Sequence, residues 1–192
     1  MNQVHVQAGD RPLPSRARLI LVHHTRPAAP PGTCFGRTDL DLPPGWPLEV
    51  AGCLAEVPRA SCVLSSPAAC CRRLARAIGG RDAAPVRIDD RLRELDFGSW
   101  EGRAWDEIPR EGLASWAENL LDYAPGGGES LRMLWERVRE WRAQALDGLD
   151  GDVVVVSHHG PIRALIAQLA GLTPERMRTH RVPWGSVHRV PG

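Results

Sequence analysis

Two histidine doublets, His23-His24 and His158-His159, are the residues of this chain best suited to chemistry. Each follows an apolar run, Leu19-Ile20-Leu21-Val22 in one case and Val153-Val154-Val155-Val156-Ser157 in the other. Imidazole serves as nucleophile, general acid or base, phosphate partner or metal ligand. Any of these uses needs the rings to meet in one pocket, so the elements that carry them matter next.

Both runs read as buried strands. In an open α/β sheet, ligands bind beyond the carboxyl ends of the strands, so two strands that end in histidine can deliver their imidazoles to one place. Along the chain the pattern predicts a strand over Arg18–His23 and a long Pro/Gly-rich loop over Thr25–Pro47. A helix follows over Leu48–Val57 and a strand over Ser61–Ser65. The next helix opens at Pro67, runs to Ile78 and is ended by Gly79-Gly80. Then come a strand at Val86–Ile88, a loop over Arg91–Gly102 and short helices within Ala104–Asp122. Pro125-Gly126-Gly127-Gly128 breaks the chain before a long amphipathic helix, Ser130–Leu146, whose Leu131, Leu134, Trp135, Val138 and Trp141 follow helical spacing and read as core. A strand at Asp152–Val156, a helix opened by Pro161 and running to Ala170, and an edge strand within Gly185–Val190 complete the chain. Strands alternating with helices predict an α/β fold, a three-layer α/β/α sandwich on a mainly parallel central sheet. Residues 1–17 are polar and read as a flexible N-terminal extension, leaving 18–192 as one domain.

Composition narrows the partners. With 24% charged residues and a net charge of +1, nothing directs the chain to nucleic acid or an anionic membrane. No run of about 18 apolar residues exists, so no membrane span is predicted. All 24 basic residues are arginine, which excludes lysine Schiff bases and a phosphate-loop lysine. The five cysteines, Cys34, Cys53, Cys62, Cys70 and Cys71, are odd in number and lack CxxC spacing. No apolar signal segment precedes them, so a reduced, cytoplasmic setting is predicted. Oligomeric state leaves no mark in the sequence.

Four ordered segments carry a resemblance. They are Leu21-Val22-His23-His24-Thr25-Arg26-Pro27, then Leu64-Ser65-Ser66-Pro67 running on to Arg73, then Arg91-Leu92-Arg93-Glu94-Leu95 running on to Gly102, and Val156-Ser157-His158-His159-Gly160 with the residues to Arg163. Together they resemble the histidine phosphatase, or phosphoglycerate mutase-like, superfamily. Cys34–Leu42, with its Gly36-Arg37-Thr38-Asp39, is similar to the corresponding loop of α-ribazole phosphatase-like members, and Gly127-Gly128-Glu129-Ser130 to the turn before the long helix. The resemblance runs from about Arg18 to the C-terminus and implies the family's fold. It also implies a phosphomonoester hydrolase that acts through a phosphohistidine, with no metal or other cofactor, on a small phosphorylated metabolite such as the α-ribazole phosphate of cobalamin assembly. Long insertions typical of mutases are absent, which favours hydrolysis.

By position the resemblance makes His24 the nucleophile, Glu94 the proton donor and His158 the second active-site histidine, with the His159 N–H directed to the same phosphate. Glu101 and Asp96 compete with Glu94 within one loop. Ser65 and Ser66 read as helix caps, Arg163 as a surface ion-pair residue, and Arg26 and Arg37 as loop residues that could reach substrate or face solvent. Trp100, Trp105 and Trp116 lean towards core.

The departures count as much. His23 stands where the family's first box has arginine, Cys70 where the following helix has a phosphate-gripping arginine, and His159 where a glycine is usual. Arginine grips phosphate by paired charge-assisted bonds, so losing two costs about 3–6 kcal/mol if the effects add. Protonated His23 at acidic pH, Arg73 one turn beyond Cys70, or Arg26 and Arg37 could compensate. Three readings follow: a phosphatase with a rebuilt anion pocket, a catalytically degenerate binding or regulatory protein, and a zinc or copper site using His24, His158 and Cys70. Neighbours on a strand face opposite ways, which predicts that the four histidines do not all converge.

Overall fold

The computed structural model describes residues 17–190, so the predicted N-terminal extension lies outside it except for Ala17, which opens the first strand. Five strands, β1 (Ala17–His23), β2 (Cys62–Ser65), β3 (Val86–Ile88), β4 (Gly151–Ser157) and β5 (Val187–Val190), form one sheet in the order β3-β2-β4-β1-β5. The first four are parallel, and β5 returns antiparallel along β1. Helices α1 (Trp46–Glu56), α2 (Ala69–Asp82), α3 (Arg110–Glu118), α4 (Leu131–Ala145) and α5 (His159–Leu169) surround it, together with short 3₁₀ turns.

Continuous apolar strands arise because both sheet faces are covered. Leu19, Leu21, Leu64, Val153 and Val155 pack beneath α4 and α5 against Leu134, Val138, Trp141, Ile162 and Leu165. Their alternates Ile20, Val22, Val63, Val154 and Val156 pack on the other face against Val50, Cys53, Leu74 and Ile78 of α1 and α2. The predicted three layers are therefore present. The tryptophans of α4 are core: Trp141 is fully buried and Trp135 nearly so. Trp100, Trp105 and Trp116 join Phe97 and Tyr123 in a separate cluster beneath the loops.

Three helix starts and one helix end differ by two residues or more from the sequence reading, α1 starting at Trp46 and not at Leu48. α2 starts at Ala69, not Pro67, and runs through Gly79-Gly80 to Asp82. A Cβ on Gly79 would lie 2.6 Å from Val86 Cγ2, so that glycine serves close helix–strand packing and does not end the helix. Asp82 holds the extra turn by accepting from the Ala60 N–H and from Arg59 and Arg81. α5 starts at His159, two residues before Pro161, with His158 as its N-cap residue. Among the described residues no helix is long and apolar enough to cross a membrane.

The register of the two central strands sets the site. His23 pairs with Ser157, so His24 and His158 each lie one residue beyond matched strand ends. The His24 N–H donates to the Ser157 carbonyl at 3.1 Å and locks that alignment.

Candidate active site

The four imidazoles form one chain of contacts. Ring centroids lie 4.8 Å apart for His24 and His158, 4.7 Å for His23 and His24, and 6.1 Å for the stacked pair His23 and His159. This overturns the expectation that they would not all converge. His24 lies past the last paired residue of β1 and His159 is already helical, so strand alternation governs neither. His23, His24 and His158 are each only 4% exposed.

Hydrogen bonds orient these rings. His24 Nδ1 lies 2.6 Å from the Thr25 carbonyl oxygen, which can only accept. In the neutral ring Nδ1 therefore carries the proton and Nε2 the lone pair. His23 Nδ1 likewise donates to the Val182 carbonyl at 2.9 Å. His158 Nε2 sits 2.8 Å from Ser66 Oγ and 3.5 Å from Cys71 Sγ. Ser66 is therefore an orienting partner of His158. The N-cap position of α2 belongs to Ala68, which replaces the expected serine cap.

Among the three carboxylates of the 94–101 loop, Glu94 is the one that lines the cavity. The Gly160 N–H lies 3.0 and 3.1 Å from its two oxygens, and the Leu95 N–H donates to Oε1 at 2.9 Å. A Cβ on residue 160 would lie 2.3 Å from Glu94 Oε1, so only glycine permits this approach. Glu101 instead accepts from the N–H groups of Gly36, Arg37, Thr38 and Phe97 and from the Thr38 hydroxyl, pinning the 36–38 loop. Asp96 pairs with Arg37 at 3.4 Å. Behind Glu94, Arg137 donates to the carbonyls of Arg91, Arg93 and Glu94 and makes a two-pronged pair with Glu129, both contacts at 2.7 Å. Sequence reasoning missed Arg137, because a polar residue on an amphipathic helix carries no local sign of what it meets.

Burial divides the charges. It pushes the Glu94 carboxyl up, more than the Leu95 and Gly160 N–H groups pull it down. Burial, with His24 beside it, lowers His23 to about 3. His158 is held well below its ordinary value by burial and by His24, and burial with Arg163 takes His159 to about 4. His24 moves the other way: burial opposes the charge, but Cys70, the Thr25 carbonyl and Glu94 together raise it. Cys70 is held down to about 5 by the Cys71 thiol and by His24, against its burial. Burial and His24 thus disfavour charge on His23 at moderately acidic pH, which weighs against the compensation suggested by sequence.

The cations come from elsewhere. His23, His24, Arg26, Cys70, Glu94, His158 and His159 all line one cavity of about 1000 Å³. Arg37 and Arg73 do not line it. Arg37 turns to Glu129 and Asp96. Arg73 is exposed, because Cys71, Leu74, Ala75 and Ile78 form the inward stripe of α2. In their place stand Arg163 and Arg178. Arg163 is partly buried, and its Nε donates to the His180 carbonyl at 2.7 Å, so it is not the surface ion-pair residue expected. Arg178 belongs to the 3₁₀ turn Pro174–Thr179 and had no signal in the sequence. Arg26 lies 4.9 Å over the Trp184 ring. Phe35, Phe97, Trp116, Leu120, Leu131 and Trp184 supply apolar wall.

Comparison with known proteins gives the family. The family model of the histidine phosphatase superfamily (branch 1) matches residues 21–191. A glucosyl-3-phosphoglycerate phosphatase from Mycolicibacterium vanbaalenii is 39% identical over 108 residues, 50% of this chain and 47% of the relative. An adenosylcobalamin/alpha-ribazole phosphatase from Escherichia coli is 30% identical over 127 residues, 64% of this chain and 63% of the relative. The matched stretch is thus less than two thirds of either protein. Among solved structures, the alpha-ribazole phosphatase from Shigella flexneri superposes with a TM-score of 0.84 at 25% identity, covering 91% of this chain and 90% of that one. With matched residues spanning nearly all of the described fold and both histidine segments, the chain belongs to the histidine phosphatase superfamily.

Proposed function

We propose that this protein is a phosphomonoesterase that works through a phosphohistidine on His24, with a small phosphorylated metabolite as substrate. The observation that carries this reading is the bond from His24 Nδ1 to the Thr25 carbonyl. It leaves Nε2 as the nucleophilic nitrogen of a residue that lines the cavity shared with Glu94. Nε2 attacks phosphorus and the P–O ester bond breaks. Glu94, whose carboxyl is pushed up by burial, gives its proton to the leaving oxygen. Water, deprotonated by the Glu94 carboxylate, then displaces phosphate from His24. Arg163 and Arg178, helped by Arg26, balance the charge of the transferring group, with the neutral His158 ring and the His159 N–H beside it as polar neighbours. No metal or cofactor enters these steps. The named relatives are phosphatases of small phosphorylated compounds. α-Ribazole phosphate fits this class, and Phe97, Trp116 and Trp184 of the lining offer aromatic surface for its base. Five free cysteines accord with a cytoplasmic setting.

One observation favours a second reading. Cys70 replaces a pocket arginine and favours protonated His24, and an imidazolium is no nucleophile. A fold retained for binding alone would tolerate this. Hydrolysis of p-nitrophenyl phosphate in excess EDTA, wild type beside His24→Ala, separates the two. The enzyme reading expects chelator-resistant turnover that falls at least about 10³-fold in the variant. Equal rates in the two proteins would leave only binding.

A further inference from the structure

The geometry points to a second ligand for the same pocket: a zinc ion held by His24, Cys70 and His158, which occupies the nucleophile and blocks it. One potential ligand atom from each of these residues lies within 4.8 Å of the others, and all three residues are buried. Tetrahedral zinc binds nitrogen at about 2.0–2.1 Å and thiolate sulfur at about 2.3 Å, so small side-chain movements would close the shell. The Nδ1–H of His24 is already anchored on a backbone carbonyl, the arrangement that orients a ligating histidine and frees its Nε2. Two imidazoles and a thiolate suit zinc and exclude the oxygen-seeking magnesium and calcium ions. All three residues line the cavity, so the fourth position opens towards water. On binding, the Cys70 sulfur and the two imidazole nitrogens donate electron pairs to zinc, and the one proton held between Cys70 and His24 leaves to solvent. No redox change occurs. An arginine at position 70 would repel the ion, so the departure from the family pattern creates this site.

The inhibition rests on the phosphatase reading, whereas the binding does not. The test is titration of the metal-free, full-length protein with Co²⁺ followed by Zn²⁺ competition, alongside p-nitrophenyl phosphate hydrolysis. The expected result is one Co²⁺ per chain with a thiolate-to-cobalt charge-transfer band, displaced by Zn²⁺ and untouched by Mg²⁺. Cys70→Ser should abolish the band and weaken Zn²⁺ binding by on the order of 100-fold. Zn²⁺ should suppress hydrolysis in proportion to occupancy, with recovery on chelation. Failure of wild-type protein to bind Co²⁺ stoichiometrically, a bound ion without the thiolate band, or a band that survives in Cys70→Ser would overturn the site. A thiolate band in a protein without turnover would uphold the site and sink the phosphatase reading instead.

Discussion

At the scale of single residues, this pocket redistributes charge. His23 and Cys70 stand where the family pattern has arginines, and burial disfavours charge on His23. The cations that line the cavity are Arg26 from the loop after β1, Arg163 of α5 and Arg178 of the turn beyond it. If Arg163 takes over phosphate binding, Arg163→Ala should lower kcat/KM by about 1.5–3 kcal/mol, roughly 10- to 100-fold. Steady-state kinetics on an aryl phosphate checks this, and an unchanged kcat/KM would return Arg163 to a purely structural role. The three catalytic candidates were legible in the sequence because a strand-end histidine, or a carboxylate in a recognisable box, is a local feature. Arg163 was visible but misread, and Arg178 was invisible. Which arginine faces a cavity is decided by how a distant turn folds over the strand ends, and no local spacing records that.

At the scale of elements, the start of α5 decides how the acid is held. By beginning at His159, the helix offers its first-turn Gly160 N–H to both oxygens of Glu94. Sequence reasoning began this helix at Pro161, a residue tolerated early in a helix, and so overlooked the turn that matters. Gly160→Ala is predicted to keep the helix, where alanine is favoured, but to push Glu94 out of position. Loss of a general acid costs about 10²- to 10⁴-fold, so kcat should fall by at least about 10²-fold, beyond the loss of about 1–3 kcal/mol of stability expected from crowding Glu94 and Leu134. Wild-type kcat in this variant would contradict the assignment of Glu94. The loop carrying Glu94 is itself braced by backbone-to-backbone packing. A Cβ on Gly98 would lie 2.3 Å from the Gly126 carbonyl oxygen, and one on Gly126 would lie 2.2 Å from that of Phe97. The glycine run reads in the sequence as a chain break and a turn before the long helix, and its packing against the Glu94 loop is not displayed there.

At the scale of the whole molecule, the fold was the most legible part. Continuous apolar runs at β1 and β4 demand cover on both faces, and α4–α5 and α1–α2 provide it. Burying histidines at the ends of those strands has a cost in acid. His23 and His159 bind protons at about 3 and 4 in the folded state against an ordinary 6.5, and His158 also lies well below 6.5. Below pH 6.5 the unfolded chain therefore binds more protons than the folded one. Their contribution to stability is complete above pH 6.5 and is lost as pH falls towards those folded values. Glu94, raised by burial, works in the opposite sense and blunts the loss above pH 4.5. Each depressed histidine adds about 1.4 kcal/mol per pH unit to the slope. His23→Asn, which retains a side-chain donor for the Val182 carbonyl, should remove about that much between pH 6 and pH 4.5 in denaturant titrations. An unchanged slope would mean that His23 is protonated in the folded protein.

The central claim is that phosphate passes through His24, and the most direct test is to trap it there. Protein turning over an aryl phosphate is quenched in alkali, where phosphohistidine survives, and its peptides are mapped by mass spectrometry. The account predicts one acid-labile phosphoryl group on the peptide containing His24, absent from His24→Ala. Turnover with no phosphoryl group on the protein, or with the group on Cys70, would contradict it.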